Sequence, residues 1–299
     1  MSLFRDAFTW VDSGAIAYPA LHKKIIELTM PALVVKKLFP EFPLVAGKTA
    51  TFVKQSGSRA AAITEVAEGS EMPMDYTPYT YITVTPYKKG LRERITRESI
   101  EDLYIPVIED QLRRLARRMA YTIDKDCQTV IDSAAGNSFA ATGTSLSATG
   151  SEFTISGGLG TKDILKAKAI IEGYSLIPDT ILLNPLNARD VYYLPQFSLY
   201  AYYGAEEPAI QSGAVGTIFG MNVNISPVIP AGTAYILSTG QNVSAAYSPL
   251  GFFVLKRPLT TDLEIVKKDD VVEVVLSTRY APTVTYGEAV VKVTGLATS

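Results

Sequence analysis

The sequence predicts an α+β protein with two cores joined by a strut, and three observations carry that prediction. From Pro106 to Asp132, apolar residues fall at Val107, Ile108, Leu112, Leu115, Met119, Ile123, Cys127, Val130 and Ile131, a helical stripe that does not lapse. Val271–Thr278 is nearly continuous in Val and Leu, which predicts a strand buried on both faces. Between the two, the amphipathic stretch Thr161–Tyr174 leads into the apolar Thr180–Leu183, a helix followed by a buried strand.

Composition bounds what such a protein does. The chain has 299 residues, 47% hydrophobic and 19% charged, enough apolar material for a sizeable core. Lys+Arg is 28 against Asp+Glu 30, and the formal charge of -2 argues against a dedicated nucleic-acid binder. One cysteine, Cys127, and one histidine, His22, exclude structural zinc, a disulfide framework and any catalysis needing two such residues within the chain. Arg5 and Asp6 interrupt Met1–Val11, so the N-terminus does not read as a signal peptide. No apolar run reaches the roughly 18 residues of a transmembrane helix.

In chain order, residues 1–47 form an arm. Leu21, Ile25, Leu28 and Leu33 recur at helical spacing, and Pro31, Pro40 and Pro43 then break the segment. Such an arm does not bury its apolar side alone and is expected to lie on the body or on a neighbouring subunit. Thr49–Lys54 and Ala62–Val66 are strand candidates joined by the polar Gln55–Arg59, a hairpin signal. An alternating, Tyr-rich strand is expected over Tyr79–Tyr87, and a short helix over Arg97–Tyr104. The long helix follows, opened by Pro106, whose missing N–H costs nothing at the first helical position. Glu109 with Arg113 and Asp110 with Arg114 are acid-before-base pairs at i,i+4. At about 27 residues it spans about 40 Å, longer than a compact domain usually needs.

Ala140–Gly160 is rich in Ser, Thr, Ala and Gly and reads as a loop with one strand, Glu152–Ile155. Asn184 and Pro185 are a natural N-cap and first position for a helix over Leu186–Tyr193. Gly204–Gly213 reads as a loop. Strands are expected at Val223–Ser226, Thr233–Leu237, Phe252–Lys256, Thr261–Lys267, Val271–Tyr280 and Glu288–Thr294.

Little of this carries chemistry. Gly157-Gly158-Leu159-Gly160 lacks the Gly-Lys-Ser/Thr ending of a phosphate loop, and Gly216 and Gly220 precede a strand instead of a helix. Cys127 sits on the apolar face of the long helix, where a cysteine is ordinarily a small core hydrophobe. The acid groups Glu65, Glu68 and Glu71, and Glu206 with Glu207, suit general acid/base work or a hard cation in principle, but solvated or interfacial charge is the better reading. Arg113, Arg114, Arg117 and Arg118 form a basic flank of the helix: a salt-bridged solvent face, or a place where polyanion lies without sequence readout. Tyr76, Tyr79, Tyr81 and Tyr87, then Tyr192, Tyr193, Tyr200, Tyr202 and Tyr203, form two clusters that favour subunit contacts.

The order of elements resembles the Hong Kong 97-type major capsid proteins of tailed phages and related archaeal viruses. Glu65-Val66-Ala67-Glu68-Gly69 with Pro73 is similar to the family's acidic segment after the hairpin tip. Ile95–Ile100 resembles its short helix before the spine helix. Ile181–Pro185 and Gly216-x-Ile218-x-Gly220-x-x-Val223 resemble features of its central domain. The resemblance implies an N-terminal arm at 1–47, an extended β-hairpin (the E-loop) at 48–81, and a P-domain at 82–160 and 251–299 with the spine helix at 106–132. It places the A-domain at 161–250.

It further implies hexamers and pentamers closing into an icosahedral shell around double-stranded DNA, in the virion, without enzymatic activity or cofactor and without a membrane. Expected intersubunit contacts are Lys54, Arg59, Glu65, Glu68, Tyr79, Tyr81, Tyr200, Tyr202 and Tyr203. The Arg113–Arg118 quartet is expected to face the interior. With no helical prodomain ahead of the arm, a separate scaffolding protein, or none, is implied, and a portal is the other expected partner. No asparagine follows Asn242, so the lysine–asparagine crosslinks of some relatives are not expected. The alternatives are an encapsulin-like nanocompartment, which shares the fold, and, from another class, a hydrolase using an acidic cluster.

Overall fold

The computed structural model describes residues 33–55, 65–66, 68, 79–96, 98, 107–146, 152–154, 157–192, 216–240, 249–266 and 268–297. In chain order the strands are β1 (Glu41–Pro43), β2 (Ala50–Gln55), β3 (Tyr79–Val84), β4 (Tyr87–Thr96), β5 (Asn137–Ala140), β6 (Thr144–Leu146), β7 (Glu152–Thr154) and β8 (Thr180–Leu183). They continue with β9 (Thr217–Ile218), β10 (Met221–Ile225), β11 (Ala234–Leu237), β12 (Gly251–Val266), β13 (Val271–Val284) and β14 (Val290–Thr294). The α-helices are α1 (Val107–Ala134), α2 (Thr161–Gly173) and α3 (Pro185–Tyr192).

A six-stranded sheet, β5-β14-β11-β8-β10-β9, lies between helices. Its period-2 alternation divides the core. Leu182, Tyr235, Leu237 and Val290 pack with α1 through Leu115, Met119, Ile123, Cys127 and Ile131. Ile181, Leu183, Ile236, Val291 and Val293 pack on the opposite face with Ile164, Ala167 and Ile171 of α2. β8 and β11 are therefore buried at every position, which explains why all but Thr180 of their residues are apolar or aromatic. β5 and β14 join this sheet from the stretches 82–160 and 251–299, so strands distant in sequence flank the 161–250 strands.

The second sheet, β1-β12-β13-β4, packs Val274, Leu276 and Tyr280 of β13 into the same core as α1. The long helix thus serves two sheets at once, which is why its apolar stripe runs so far. The strands expected at Phe252–Lys256 and Thr261–Lys267 are one 16-residue strand, β12. Pro258 does not end it; the pairing with β13 shifts register between Leu255, Arg257 and Thr260 and the strand continues. Gly251 begins it at φ 140, where a Cβ would lie 2.0 Å from the Thr283 carbonyl oxygen.

The hairpin differs from the sequence reading. β2 pairs with β3, in the register Ala50↔Val84, Phe52↔Ile82, Val53↔Tyr81; of the expected partner Ala62–Val66, residues 62–64 lie outside the described residues. Glu65 and Val66 lie outside any strand. Phe52 takes as its cross-strand neighbour a large apolar residue, Ile82, and the pair buries one face on Val254 and Ala281. The single strand expected over Tyr79–Tyr87 is divided at Thr85-Pro86, where the chain leaves the hairpin and enters the four-stranded sheet as β4.

β4 itself, polar and basic, was not expected. It is an edge strand, where charge is tolerated and protects against stray pairing. β5 and β6 likewise occupy stretches read as helix closure and loop. The arm up to residue 32 and most of Arg97–Tyr104 lie outside the described residues. Where the arm is described it lies on the body: Leu33, Val35, Leu38 and Phe39 are buried in the cluster under α1, and β1 adds in parallel to β12.

Candidate functional site

The described residues present two exposed surfaces and a frame that holds them in place. The frame is pinned by three aspartates on α1. Asp124 is 2% exposed, and its carboxylate accepts the backbone N–H groups of Val34 (2.8 Å), Val35 (3.2 Å) and Lys36 (3.0 Å). One side chain thereby fixes the turn by which the arm enters the body.

Asp126 accepts the Lys89 ammonium of β4 (2.5 Å) and the Tyr280 hydroxyl of β13 (2.6 Å). Asp132 accepts the Tyr235 hydroxyl of β11 (2.6 Å) and the Lys292 ammonium of β14 (2.5 Å). The helix is therefore fastened to the arm, to one sheet and to the other by successive carboxylates.

Burial opposes ionisation of Asp132, but the hydrogen bonds from Lys292 and Tyr235 and the Lys292 charge outweigh it and hold its carboxyl below its ordinary value. Burial first, then the hydrogen bond to Asp126, pushes the Tyr280 phenol far up; burial and Asp132 do the same to Tyr235. Cys127 is buried, its thiol raised by burial and then by the nearby Asp124 and Asp126 charges. That environment makes it inert. The apolar stripe places Cys127 in the core, as found, but says nothing of the aspartates. Asp124 lies within the helix's apolar arc, one residue after Ile123 and three before Cys127, and a carboxylate in such an arc is the signal that marks it.

The first surface is the hairpin. Residues opposite one another across β2 and β3 share a face. Ala50, Phe52, Ile82 and Val84 turn inward, where Phe52 stacks on Phe252 at 4.9 Å between ring centroids. The other face carries Val53, Tyr79 and Tyr81, 56%, 62% and 68% exposed. Lys54 belongs to the inward face: its ammonium pairs with Glu288 (3.3 Å) and lies 4.9 Å from the Tyr286 ring centroid. It is engaged in its own chain, which the sequence does not anticipate. Glu65 and Glu68 are exposed. Arg59, Tyr200, Tyr202 and Tyr203 lie outside the described residues, as do His22, Glu71, Glu206 and Glu207.

The second surface is basic. Arg113, Arg114, Arg117 and Arg118 are all exposed along one flank of α1. Beside them an open groove lies between α1 and β4, lined by Lys88, Lys89, Leu91, Arg118, Met119 and Thr122. On the far face of β4, Arg92 and Arg94 close over Glu273, which is 2% exposed. Among the described residues no group of His, Cys, Asp and Glu could hold a metal ion, and no helix is long and apolar enough to cross a membrane.

This architecture is shared with shell-forming proteins of viruses. The chain is similar to the structure described as the capsid of the cyanophage P-SCSP1u, with TM-score 0.65 and 13% identity over 88% of this chain and 87% of that one. The mature capsid of bacteriophage PhiM1 aligns with TM-score 0.63 and 11% identity, covering 88% of this chain and 86% of that one. A virus-like particle from Pyrococcus furiosus aligns with TM-score 0.57 and 11% identity, covering 93% and 100%. The fold is the Hong Kong 97-like capsid fold.

No curated protein sequence matches the chain. A family described as phage capsid protein matches residues 80–293, and the chain belongs to that family. It is a major capsid protein, located in the capsid of the virion, whose function is to associate with copies of itself into a shell. Family membership implies a structural role, not an enzymatic one.

Proposed function

We propose that the chain closes, through hexamers and pentamers, into an icosahedral shell around double-stranded DNA, with no catalytic activity or cofactor of its own. The observation that carries this reading is the hairpin: a two-stranded element with one apolar face on its own body and a second, bare face of Val53, Tyr79 and Tyr81. A bare face of this kind is worth keeping only if another molecule covers it. The remaining expected contacts, Arg59, Glu65, Glu68, Tyr200, Tyr202 and Tyr203, complete the proposed intersubunit set, with Lys54 acting within its own chain. Segments 1–47, 48–81, 82–160 with 251–299, and 161–250 serve as arm, hairpin, peripheral domain and axial domain. The long helix is the spine between them.

The exposed Arg113, Arg114, Arg117 and Arg118 face the packaged DNA, where charge without base contacts gives sequence-independent, salt-sensitive attraction. A separate scaffolding protein and a portal complete the assembly. Negative-stain electron microscopy with sedimentation of the chain, alone and co-expressed with its scaffolding partner, tests the reading. Closed shells or uniform rings of five or six subunits are expected, with nucleic acid inside particles made during infection. A monomer under both conditions overturns the shell, and particles filled with a cargo enzyme overturn the viral genome as contents.

A further inference from the structure

A corner of the six-stranded sheet, apart from the hairpin and from the arginine flank, carries apolar side chains on strained backbone. β9 and β10 are joined by the two-residue turn Phe219-Gly220, with φ of 51 and 81. Both central positions of such a turn need positive φ, which Asn and Gly supply at little cost and a bulky side chain does not. Phe219 is nevertheless there, 40% exposed, its carbonyl oxygen held by the Lys168 ammonium of α2 at 2.9 Å.

The end of α2 repeats the pattern. Ser175 takes φ 60 where glycine is usual, its N–H bonded to the Glu172 carbonyl at 2.8 Å. This turn exposes Tyr174 and Ile177, 52% and 61%. Among the described residues, three non-glycine positions have positive φ, and two of them are here.

The topology brings these residues together. β8 and β10 are parallel neighbours, Thr180 opposite Asn222, so the segments leading into them, with Ile177 and Phe219, reach the same end of the sheet. The Asn222 N–H to the Asp179 carbonyl, 2.8 Å, ties these two segments to each other, and Lys168 ties Phe219 to α2. Leu165, 39% exposed, lies one helical turn before Lys168. Strain at exposed apolar residues is retained where it serves function, since folding alone would favour Asn at position 219.

We propose that this corner is a contact between two copies of the chain, resting on the shell reading. The occupant follows from chemistry. A polyanion has no reason to bind, because the charged rim is Lys168 paired with Glu172, which presents both signs. A near-neutral chain whose function is to associate with itself matches an apolar patch with a mixed-sign rim.

Phe219→Asn removes the ring and relieves the turn. The unassembled subunit should melt about 2 °C higher, while shell yield at fixed concentration falls by about tenfold or more. Ile177→Ser, which leaves the backbone alone, should lower shell yield in the same direction with an unchanged melting temperature. A photo-crosslinking residue at position 219 should couple to a second copy in wild-type-like particles. Unchanged shell yield in both variants, or crosslinks only within one chain, overturns this contact while leaving the shell reading intact. A lower melting temperature for Phe219→Asn also overturns it, since the ring would then be serving the fold. A wild-type chain that remains monomeric with and without its scaffolding partner overturns the shell reading and this contact with it.

Discussion

The long helix and the hairpin are both extended elements, and the chain treats their second faces in opposite ways. α1 meets one sheet, then the other, and three of its carboxylates each fasten something: Asp124 the arm, Asp126 the four-stranded sheet, Asp132 the six-stranded one. The hairpin buries Phe52 and Ile82 against its own body and leaves Val53, Tyr79 and Tyr81 bare. A frame must hold its geometry before assembly and an outreaching element must remain available for it. The difference teaches that stability and association are written on separate residues of this chain, and substitutions should separate them.

The largest effect is expected on the frame. Asp124→Ala strands three backbone N–H groups that have lost their only described acceptor, at roughly 1–3 kcal/mol for each group left buried and unpaired. A loss of about 3 kcal/mol in subunit stability should follow, read as a lower urea midpoint at unchanged m-value. Asp124→Asn keeps one oxygen acceptor and should lose about half as much. An Asp124→Ala subunit within about 0.5 kcal/mol of wild type would mean that this carboxylate does not fasten the arm.

The hairpin should show the reverse. Val53→Ser with Tyr81→Ser removes surface that the single subunit leaves mostly in water, together with one cross-strand pair, so stability should fall by no more than about 1 kcal/mol. Shell formation should fail or need much higher concentration, as scored by sedimentation. Equal loss of stability and assembly would erase the distinction between the two regions.

How far this division is legible in the sequence follows from how local each signal is. The helix is readable because its apolar residues keep one period, and α2, β8 and α3 because their caps and runs are contiguous. Asn184 caps α3 as its sequence position foretells, accepting the Leu186 N–H at 2.9 Å. The partner of β2 is not readable: Tyr79 pairs with the distant Gln55, while a nearer candidate strand satisfies the same local rules. β4 and β5 escape for a related reason, since an edge strand needs no apolar alternation and takes its identity from the strand beside it. The aspartates require tertiary structure, because a carboxylate within an apolar arc says that a partner exists and not which one. For Lys54, proximity to the hairpin tip misleads, because its cross-strand phase sends it inward to Glu288.

The smallest effects are those of pH, and they sharpen the comparison because they act on the frame alone. Asp132 has its folded carboxyl held below the ordinary 3.8, so the unfolded chain binds its proton first as pH falls. Its contribution is complete above that value and is lost as pH drops through the lower folded one. Asp132→Asn should therefore flatten the fall in stability below about pH 4. At the alkaline end the sign reverses. Tyr280, raised above its ordinary 10.0 by burial and by Asp126, stays protonated in the folded chain after the unfolded chain has released its proton. Stability is intact below about pH 10 and declines above it as native protons outnumber unfolded ones. Tyr280→Phe should lower the plateau, since the Asp126 hydrogen bond is gone, yet make the alkaline decline shallower. Both groups belong to the frame, so shells and subunits compared at matched ionic strength should differ little in these slopes. A pH dependence that appeared only in the assembled particle would place the titrating groups at a contact between copies and remove them from the frame.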